Sequence, residues 1–213
     1  MPKIESFEKY SKEYDDWFIK NKDVYWAELN IIKRFIPVDG FGVEIGVGSG
    51  RFAVPLGIKI GVEPSRRMAD ISKNRGIQVY LAVAEQLPFY NKTFDFILMI
   101  TTICFVDDVV QSFHEANRIL KNHGFLVVGF VDKGSELGRR YQAKRKRSKF
   151  YRDATFYSVS EVIAGLKEAK FMDIEIKQTV FSGASEPIDT IENDYGNGSF
   201  VVIKAVKSNQ LRS

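Results

Sequence analysis

The stretch Val43-Glu-Ile-Gly-Val-Gly-Ser-Gly-Arg-Phe52 decides the fold of this chain. Its first three residues predict a short buried strand, which leads directly into alternating glycines at Gly46, Gly48 and Gly50. Glycine lets the backbone turn tightly and approach a ligand closely, because no Cβ intrudes. We expect a helix to begin near Arg51 and to point its N–H groups into the same crevice. This order of strand, glycine loop and helix opens many ligand-binding α/β domains.

Apolar runs alternate with helical segments beyond this loop. The alternation predicts a Rossmann-like, doubly wound α/β fold with a mostly parallel seven-stranded sheet and an antiparallel edge strand. Ser65 and Ser158 are the expected N-caps of two helices. Further strands are predicted over 58–62, 77–82, 94–100, 125–131, 173–181 and 199–206, the last two joined by a polar loop and able to pair antiparallel.

The chain divides into three segments by pattern. Aromatic residues spaced three and four apart over 1–36 predict amphipathic helices, which we interpret as a helical N-terminal flap. Residues 37–207 then form the ligand-binding α/β domain, and 208–213 form a C-terminal tail. We expect residues 1–30 and 133–155 to cover the site.

Composition limits the classes of function. With 45% hydrophobic and 27% charged residues among 213, the chain has the composition of a globular protein and not of a disordered one. The single cysteine, Cys104, cannot form an internal disulfide, and with only His114 and His123 a metal site is not expected. The first residues lack the apolar core of a secretory signal, so we expect a cytoplasmic protein without membrane insertion.

Positive charge is concentrated in one place. The segment 139–152 contains eight of the 31 Lys and Arg residues and no acid, so the remainder of the chain has a net charge of −4. This segment could follow the phosphates of RNA or of a phosphorylated substrate, or it could be a solvated helix over the acceptor opening. Because the rest of the chain is acidic, we expect no specific binding of nucleic acid.

The residues after the glycine loop disfavour a nicotinamide cofactor but are compatible with another ligand that contains a ribose. A nicotinamide-binding loop needs a third glycine where this chain has Arg51, which weakens the hypothesis of an oxidoreductase. Glu63 ends the second predicted strand, where a carboxylate can accept hydrogen bonds from both hydroxyls of a ribose. The alternative is an ordinary solvated glutamate.

At this point four motifs resemble those of the class I S-adenosylmethionine-dependent methyltransferases, in particular the small-molecule type of ubiquinone and menaquinone biosynthesis. The resemblance spans about residues 40–180 and includes the glycine loop. The other motifs are Gly61-Val-Glu-Pro-Ser65, Ala84-Glu-Gln-Leu-Pro-Phe89 followed by Phe94-Asp95, and Ile119-Leu-Lys-Asn-His-Gly-Phe-Leu126. The resemblance to this family implies S-adenosylmethionine as the cofactor and a methyl group as the group that is transferred.

The resemblance also implies roles for individual residues. The methionine end of the cofactor would be held by Glu44 and by the loop of Gly46, Gly48 and Gly50, the ribose by Glu63 beside Pro64, the adenine by Ala84 and Glu85, and the ammonium group by Thr101. One position departs from the pattern, because Val83 stands where many relatives carry an aspartate for the adenine amino group.

The acceptor side is less determined by the sequence. Thr102 and Phe105 follow the fourth strand and are candidates to line the acceptor pocket. Tyr10, Tyr14 and Trp17 could form a lid over the cofactor and the acceptor, or they could be core. No catalytic residue is assigned: His114, Asp107, Asp108 or a tyrosine could act as a base, whereas Cys104 is expected to be a small buried hydrophobe.

The sequence thus predicts methyl transfer by direct in-line displacement to an unidentified, small-molecule acceptor. The alternatives are a non-catalytic S-adenosylmethionine-binding protein, an RNA or protein methyltransferase that uses segment 139–152, and a nicotinamide oxidoreductase.

Overall fold

The computed structural model describes residues 3–180 and 190–208. The helices are α1 (Glu5–Lys9), α2 (Ser11–Lys20), α3 (Lys22–Lys33), α4 (Arg66–Asn74), α5 (Val109–Ile119), α6 (Glu136–Lys144) and α7 (Val159–Glu168), with a 3-10 turn at Arg145–Arg147. The strands are β1 (Gly42–Ile45), β2 (Ile60–Val62), β3 (Gln78–Tyr80), β4 (Phe94–Ile100), β5 (Leu120–Val131), β6 (Phe171–Val180), β7 (Thr190–Asn193) and β8 (Phe200–Lys207).

These strands form one sheet in the order β3-β2-β1-β4-β5-β8-β6-β7. The first five pair in parallel, and β8 pairs antiparallel with both β5 and β6. The predicted α/β fold with a parallel sheet and an antiparallel C-terminal edge is therefore confirmed. The predicted number of strands was wrong, because the polar loop before β8 contains β7, which pairs with β6 and makes the sheet eight-stranded. Phe181 and residues 182–189 of that loop lie outside the described residues.

The helix expected to begin near Arg51 does not form. Residues 51–57 fold as consecutive turns instead. Pro55 has no N–H to donate to the Arg51 carbonyl, so the ladder of helical hydrogen bonds is interrupted there. The hydroxyl of Tyr25 donates to that carbonyl at 2.6 Å and replaces the missing bond.

The predicted caps are present. The Ser65 hydroxyl accepts from the Met68 N–H at the start of α4, and Ser158 forms a complete capping box with Glu161 at the start of α7. Both helices begin where the sequence placed them, because a cap satisfies N–H groups that have no partner within the helix.

Apolar side chains are buried on both faces of the sheet. Along β4 they alternate, with Ile97 and Met99 packed in one cluster and Leu98 and Ile100 in the other. The second cluster is covered by the N-terminal helices, and Ile31 and Ile32 of α3 are 0% exposed. Helix α3 is thus a layer of the core and not a mobile cover. Among the described residues no helix is long and apolar enough to cross a bilayer.

The first two helices have a different environment. Rings of Phe7, Tyr10 and Tyr14 surround Phe150, at centroid distances of 5.8, 6.3 and 5.6 Å. Lys149 beside it pairs with Glu13 of α2 at 2.7 Å. The N-terminal segment and the segment after α6 therefore meet above the carboxyl ends of the strands.

The assignment of α3 to the core can be tested by a pair of substitutions. Ile31→Ala should lower the free energy of unfolding by about 2–5 kcal/mol, because it leaves a cavity under the sheet. Ile19→Ala on the neighbouring α2, where the side chain is 51% exposed, should change it by less than about 0.5 kcal/mol. Urea unfolding followed by circular dichroism measures both, and equal losses would show that α3 is no more integral than α2.

Candidate active site

The glycine loop after β1 lies at the carboxyl ends of the parallel strands, as expected for a ligand site of this fold. Gly46, Gly48 and Gly50 have φ values of +71°, +53° and +83°, a region that side chains rarely adopt. Their surroundings differ. A Cβ on Gly46 would meet the side chain of Thr102, with Cγ2 at 2.5 Å, and a Cβ on Gly50 would lie 2.7 Å from Ser72 Oγ.

Gly48 is the glycine with room above it. A Cβ there would have Met68 Cε at 3.5 Å as its nearest neighbour, an ordinary van der Waals distance. Gly46 and Gly50 are thus required by packing within the chain, whereas Gly48 faces an open cavity.

Glu63 ties this loop to the second strand. Its carboxylate is 7% exposed and accepts the Gly48 N–H on Oε2 and the Ser65 N–H on Oε1, both at 2.9 Å. A carboxylate offers about four lone-pair directions, so both oxygens keep a free acceptor site. Burial raises the pKa of Glu63 to about 7, against the opposing effect of the two N–H groups, and the charge of Glu8 adds to the increase.

Glu44 lies beneath the loop and not in the cavity. It is 1% exposed, and Oε2 has no hydrogen-bond partner among the described residues. Burial raises its pKa well above the usual range, although the backbone N–H of Ala53 donates to the carboxyl group. Glu44 therefore braces the loop from below.

A main cavity of about 650 Å³, including its mouth, opens over the loop. Its lining includes nine of the residues that the sequence predicted near the cofactor or the acceptor after β1 to β4: Gly46, Gly48, Glu63, Pro64, Ala84, Glu85, Thr101, Thr102 and Phe105. Tyr14 also lines it, from α2. The structure thus brings together residues from four strand ends and from the N-terminal helices.

The segment assigned to adenine forms one wall of this cavity. Val83, Ala84 and Glu85 all line it. The Glu85 carboxylate, however, accepts the N–H groups of Asp107 and Asp108 at 2.7 and 3.1 Å and so braces the start of α5. Its hydrogen-bonding capacity is partly used within the chain.

Two threonines follow β4 directly, and they differ in backbone conformation and in hydrogen bonding. Thr102 donates its hydroxyl to the carbonyls of Ile45 and Ile100 at 3.1 and 3.0 Å, so its polar atom is turned toward the backbone. Thr101 has a φ of +51°, which is unusual for a β-branched residue. Such strain is concentrated at functional sites, where the surrounding structure enforces it.

Of the aromatic residues that the sequence placed near the acceptor, some line the main cavity and others do not. Tyr14 and Phe105 line the main cavity. Tyr10 lies outside the lining, beneath Lys149 at 4.8 Å, and Trp17 packs against Phe18 in the core at 5.2 Å. Only one of the three N-terminal aromatics considered as a lid reaches the cavity.

A smaller side cavity, about 330 Å³ with the open solvent at its mouth included, adjoins the main one, and Thr101 lines both. Its other walls include Cys104, Val131, Tyr151 and Phe156. The ring of Tyr151 stacks on Tyr141 at 4.8 Å. Tyr151 belongs to the segment 133–155 that was expected to cover the site, but sequence analysis gave this residue no role of its own.

Burial raises the pKa of several groups that line the two cavities. Burial raises the pKa of the Cys104 thiol to about 12, as expected for a small buried residue and not for a nucleophile. Burial also raises the pKa of Tyr14 and of Tyr151. His114 lies on the exposed face of α5. Within residues 3–180 and 190–208, no group of three or more metal-ligating side chains occurs.

Asp15 is a residue that sequence analysis missed. Arg51 and Arg75 both donate to its carboxylate in two-point contacts of 2.7 and 2.8 Å, and Arg75 also bonds the Ser49 carbonyl. Burial alone would raise the pKa of Asp15, but the two guanidinium groups hold it well below the usual range. This carboxylate fastens α2 to the end of the glycine loop.

Comparison with known proteins identifies a family to which the chain is similar. A family model described as a methyltransferase domain matches residues 43–128. An uncharacterized protein of Methanocaldococcus jannaschii is 46% identical over 203 residues, which cover 94% of this chain and 98% of that protein.

Solved structures agree with this match. The structure of an S-adenosylmethionine-dependent methyltransferase from Thermotoga maritima, described as a possible histamine N-methyltransferase, is 46% identical, covers 96% of this chain and 100% of that chain, and has a TM-score of 0.93. A phosphoethanolamine N-methyltransferase of Haemonchus contortus, solved with S-adenosylhomocysteine, shares the fold at 19% identity, with coverage of 84% and 52% and a TM-score of 0.61. The chain therefore belongs to the class I S-adenosylmethionine-dependent methyltransferases.

Proposed function

We propose that this protein transfers a methyl group from S-adenosylmethionine to a small molecule held in the side cavity, by direct in-line displacement. The observation that carries the proposal is the pair of adjoining cavities that share Thr101. One contains Gly48 and the carboxylate of Glu63, as a nucleoside site requires, and the other has apolar and aromatic walls.

The main cavity fits the cofactor in its chemistry. Glu63 has an unused acceptor site on each oxygen, as two ribose hydroxyls require, and Gly48 leaves space for close approach to the backbone. Ala84 and Glu85 would flank the adenine, and Thr101 would face the ammonium group. Gly46, Gly50 and Glu44 would act on the methionine end by fixing the loop, because their contacts lie within the chain.

When bound, S-adenosylmethionine supplies an activated methyl group on its sulfonium. The chain's contribution is to orient the acceptor and to exclude water. Thr102 fixes the spacing between β1 and β4, and Phe105 lies between the two cavities with its ring 6.0 Å from that of Tyr151. Burial raises the pKa of Tyr14, Tyr151 and Cys104, which makes these groups poor bases at neutral pH. We therefore expect an acceptor whose nucleophilic atom is already unprotonated when it binds.

A small acceptor suits the side cavity better than a nucleic acid does. Its walls are mainly apolar and aromatic, which suits a small organic molecule and not a phosphate backbone. The 46% identical protein from Thermotoga maritima is described as a possible histamine N-methyltransferase, and histamine is a small molecule. In segment 139–152, Arg139, Arg145, Lys149 and Arg152 already bond within the chain, which leaves fewer cations for phosphates.

The role of the glycine loop is tested by Gly48→Ala. The new methyl group fits without a clash inside the protein but occupies space next to the backbone that the cofactor needs, so the Kd for S-adenosylhomocysteine should rise at least about tenfold, or about 1.4 kcal/mol. Gly57→Ala is the matched control. Gly57 also has a positive φ, +74°, and a Cβ added there would have no neighbour within 4 Å, but Gly57 does not line the cavity. Isothermal titration calorimetry measures both, and equal affinities in the two variants would remove Gly48 from the site.

The role of Glu63 predicts a pH dependence. Without cofactor its pKa is about 7, and a ribose that donates two hydrogen bonds requires the ionised form, so binding at lower pH must release a proton. The affinity for S-adenosylhomocysteine should therefore fall about tenfold from pH 8 to pH 6. Glu63→Gln should bind more weakly by about 1.5–3 kcal/mol at pH 8 and lose this slope. A slope that persists in Glu63→Gln would assign the titration to another group.

The acceptor assignment is tested with a panel of small amines, phenols, carboxylic acids and a short RNA. We expect methyl transfer from S-adenosylmethionine to a small molecule, and binding of S-adenosylmethionine but not of NAD in calorimetry. Cys104→Leu enlarges a side chain that lines only the side cavity, and should reduce transfer at least tenfold while leaving cofactor affinity unchanged. Transfer to RNA alone would contradict the proposal, and cofactor binding without transfer to any acceptor would favour a non-catalytic binding protein.

A further inference from the structure

The ring of Tyr14 lies across the main cavity from the glycine that is open to it. Helix α2, all of which the structure describes, contributes Tyr14 alone to the cavity lining. A Cβ added to Gly48 would lie 3.9 Å from Tyr14 Cε1. Phe7, Phe18 and Phe150 hold the ring in edge-to-face contacts, with centroid distances of 5.3, 5.4 and 5.6 Å. These contacts fix the orientation of the Tyr14 side chain.

The backbone next to Tyr14 is fixed as well. Asp15, the following residue, forms two-point contacts of 2.7 and 2.8 Å with both Arg51 and Arg75. Arg51 follows the last glycine of the loop, so these ion pairs set the distance between α2 and the loop. A ligand that bonds to the Tyr14 hydroxyl therefore does not have to order the side chain first.

The order of the strands predicts how the cofactor lies across the cavity. In the sheet β3, β2, β1 and β4 are neighbours in that order. The proposed ribose partner Glu63 follows β2, and the residues proposed for adenine, 84–85, follow β3. A nucleoside placed in this way directs its methionine end past Gly48, after β1, toward Thr101, after β4. Tyr14 lies at this end of the cavity, since its ring is next to Gly48.

The cavity lining near β1 and β4 is poor in polar side chains. The Thr102 hydroxyl donates to the carbonyls of Ile45 and Ile100 and is turned away from the cavity. Among the described lining residues on this side, Tyr14 and Thr101 supply the other hydroxyl groups. The methionine end carries both an ammonium group and a carboxylate, and Thr101 has been proposed to face the ammonium group. The carboxylate still requires a donor from a side chain or from the loop.

The protonation of Tyr14 suits that role. Burial raises the pKa of its hydroxyl, although hydrogen bonding by the Thr101 side chain opposes the increase. The hydroxyl therefore keeps its proton at neutral pH and can donate it. A hydrogen bond to a carboxylate is charge-assisted and stronger than one between neutral groups.

We propose that the Tyr14 hydroxyl donates a hydrogen bond to the carboxylate at the methionine end of S-adenosylmethionine. This inference rests on the proposed function, since it adds a residue to the cofactor site. It makes α2 a part of that site, in addition to its role as a cover. The ion pairs of Asp15 then serve to position Tyr14 over the loop.

The test compares S-adenosylhomocysteine with 5′-deoxy-5′-(3-aminopropylthio)adenosine. The second ligand has the same nucleoside, sulfur and ammonium group but lacks the carboxylate. The readout is the Kd from isothermal titration calorimetry, with competition against S-adenosylhomocysteine for the weaker ligand. The wild-type protein should bind S-adenosylhomocysteine at least about tenfold more tightly than the analogue.

Tyr14→Phe removes the hydroxyl and keeps the ring with its aromatic contacts. It should weaken binding of S-adenosylhomocysteine about tenfold or more and leave the affinity for the analogue unchanged. Tyr10→Phe is the matched control, because it makes the same chemical change at a residue that does not line the cavity, and it should change neither affinity. Glu63→Gln should weaken both ligands, because both contain the ribose.

A merely structural role of Tyr14 gives a different result. It would weaken both ligands equally in Tyr14→Phe and lower the midpoint of thermal unfolding of the unliganded protein, whereas we expect that midpoint to stay unchanged. If the analogue binds too weakly to measure, the affinities of Tyr14→Phe and Tyr10→Phe for S-adenosylhomocysteine decide, together with these midpoints.

Three outcomes would overturn the assignment of Tyr14. They are an unchanged affinity of Tyr14→Phe for S-adenosylhomocysteine, an equal loss for both ligands, and equal binding of both ligands by the wild-type protein. Failure of the proposed function is a separate result, because it requires that the wild-type protein fail to bind S-adenosylhomocysteine or to transfer methyl groups to any small molecule.

Discussion

The two-point contacts between Asp15 and two arginines hold the N-terminal helices against the glycine loop. Arg51 follows the last glycine of that loop, and Arg75 lies at the end of α4. Arg75 also donates a hydrogen bond to the Ser49 carbonyl within the loop. Side-chain exposures of 15, 22 and 27% place these groups where water screens them only partly. If Asp15 were absent, two cations would face each other beside the loop without a counter-charge. The ion pairs of Asp15 therefore hold the N-terminal helices and the glycine loop together.

The half of the protein around the glycine loop could be predicted because its signals are local. Gly46 and Gly50 have no space for a side chain, Glu63 follows a strand by one residue, and Ser65 caps the next helix. Each of these constraints acts over a few residues and leaves a pattern that one sequence displays. The alternation of apolar runs with helical segments also predicted that the first five strands run parallel, as they do.

Errors arose where a single residue or a distant partner overrides a local pattern. The helix after Arg51 was predicted from the order of elements, but Pro55 removes one of its hydrogen bonds and Tyr25, far earlier in the chain, satisfies the carbonyl. Strand β7 was not predicted, because it is a short polar edge strand that depends on pairing with β6. Asp15 resembled any acid on an amphipathic helix until the fold brought Arg51 and Arg75 to it.

The acceptor side illustrates the same limit in a different way. The walls of the side cavity, where we propose that the acceptor binds, come from the residues after β4, the end of β5 and the segment after α6, and they meet because the sheet places β4 and β5 side by side. Thr101 stands at this junction with a left-handed backbone that a β-branched residue adopts only under constraint from its surroundings. The constraint includes the bond from its N–H to the Gly129 carbonyl on β5, at 2.7 Å. A change in the covering segments can thus alter the side cavity while β4, β5 and the glycine loop stay intact. The motifs of the family are therefore visible in the sequence, whereas the walls of the side cavity are not.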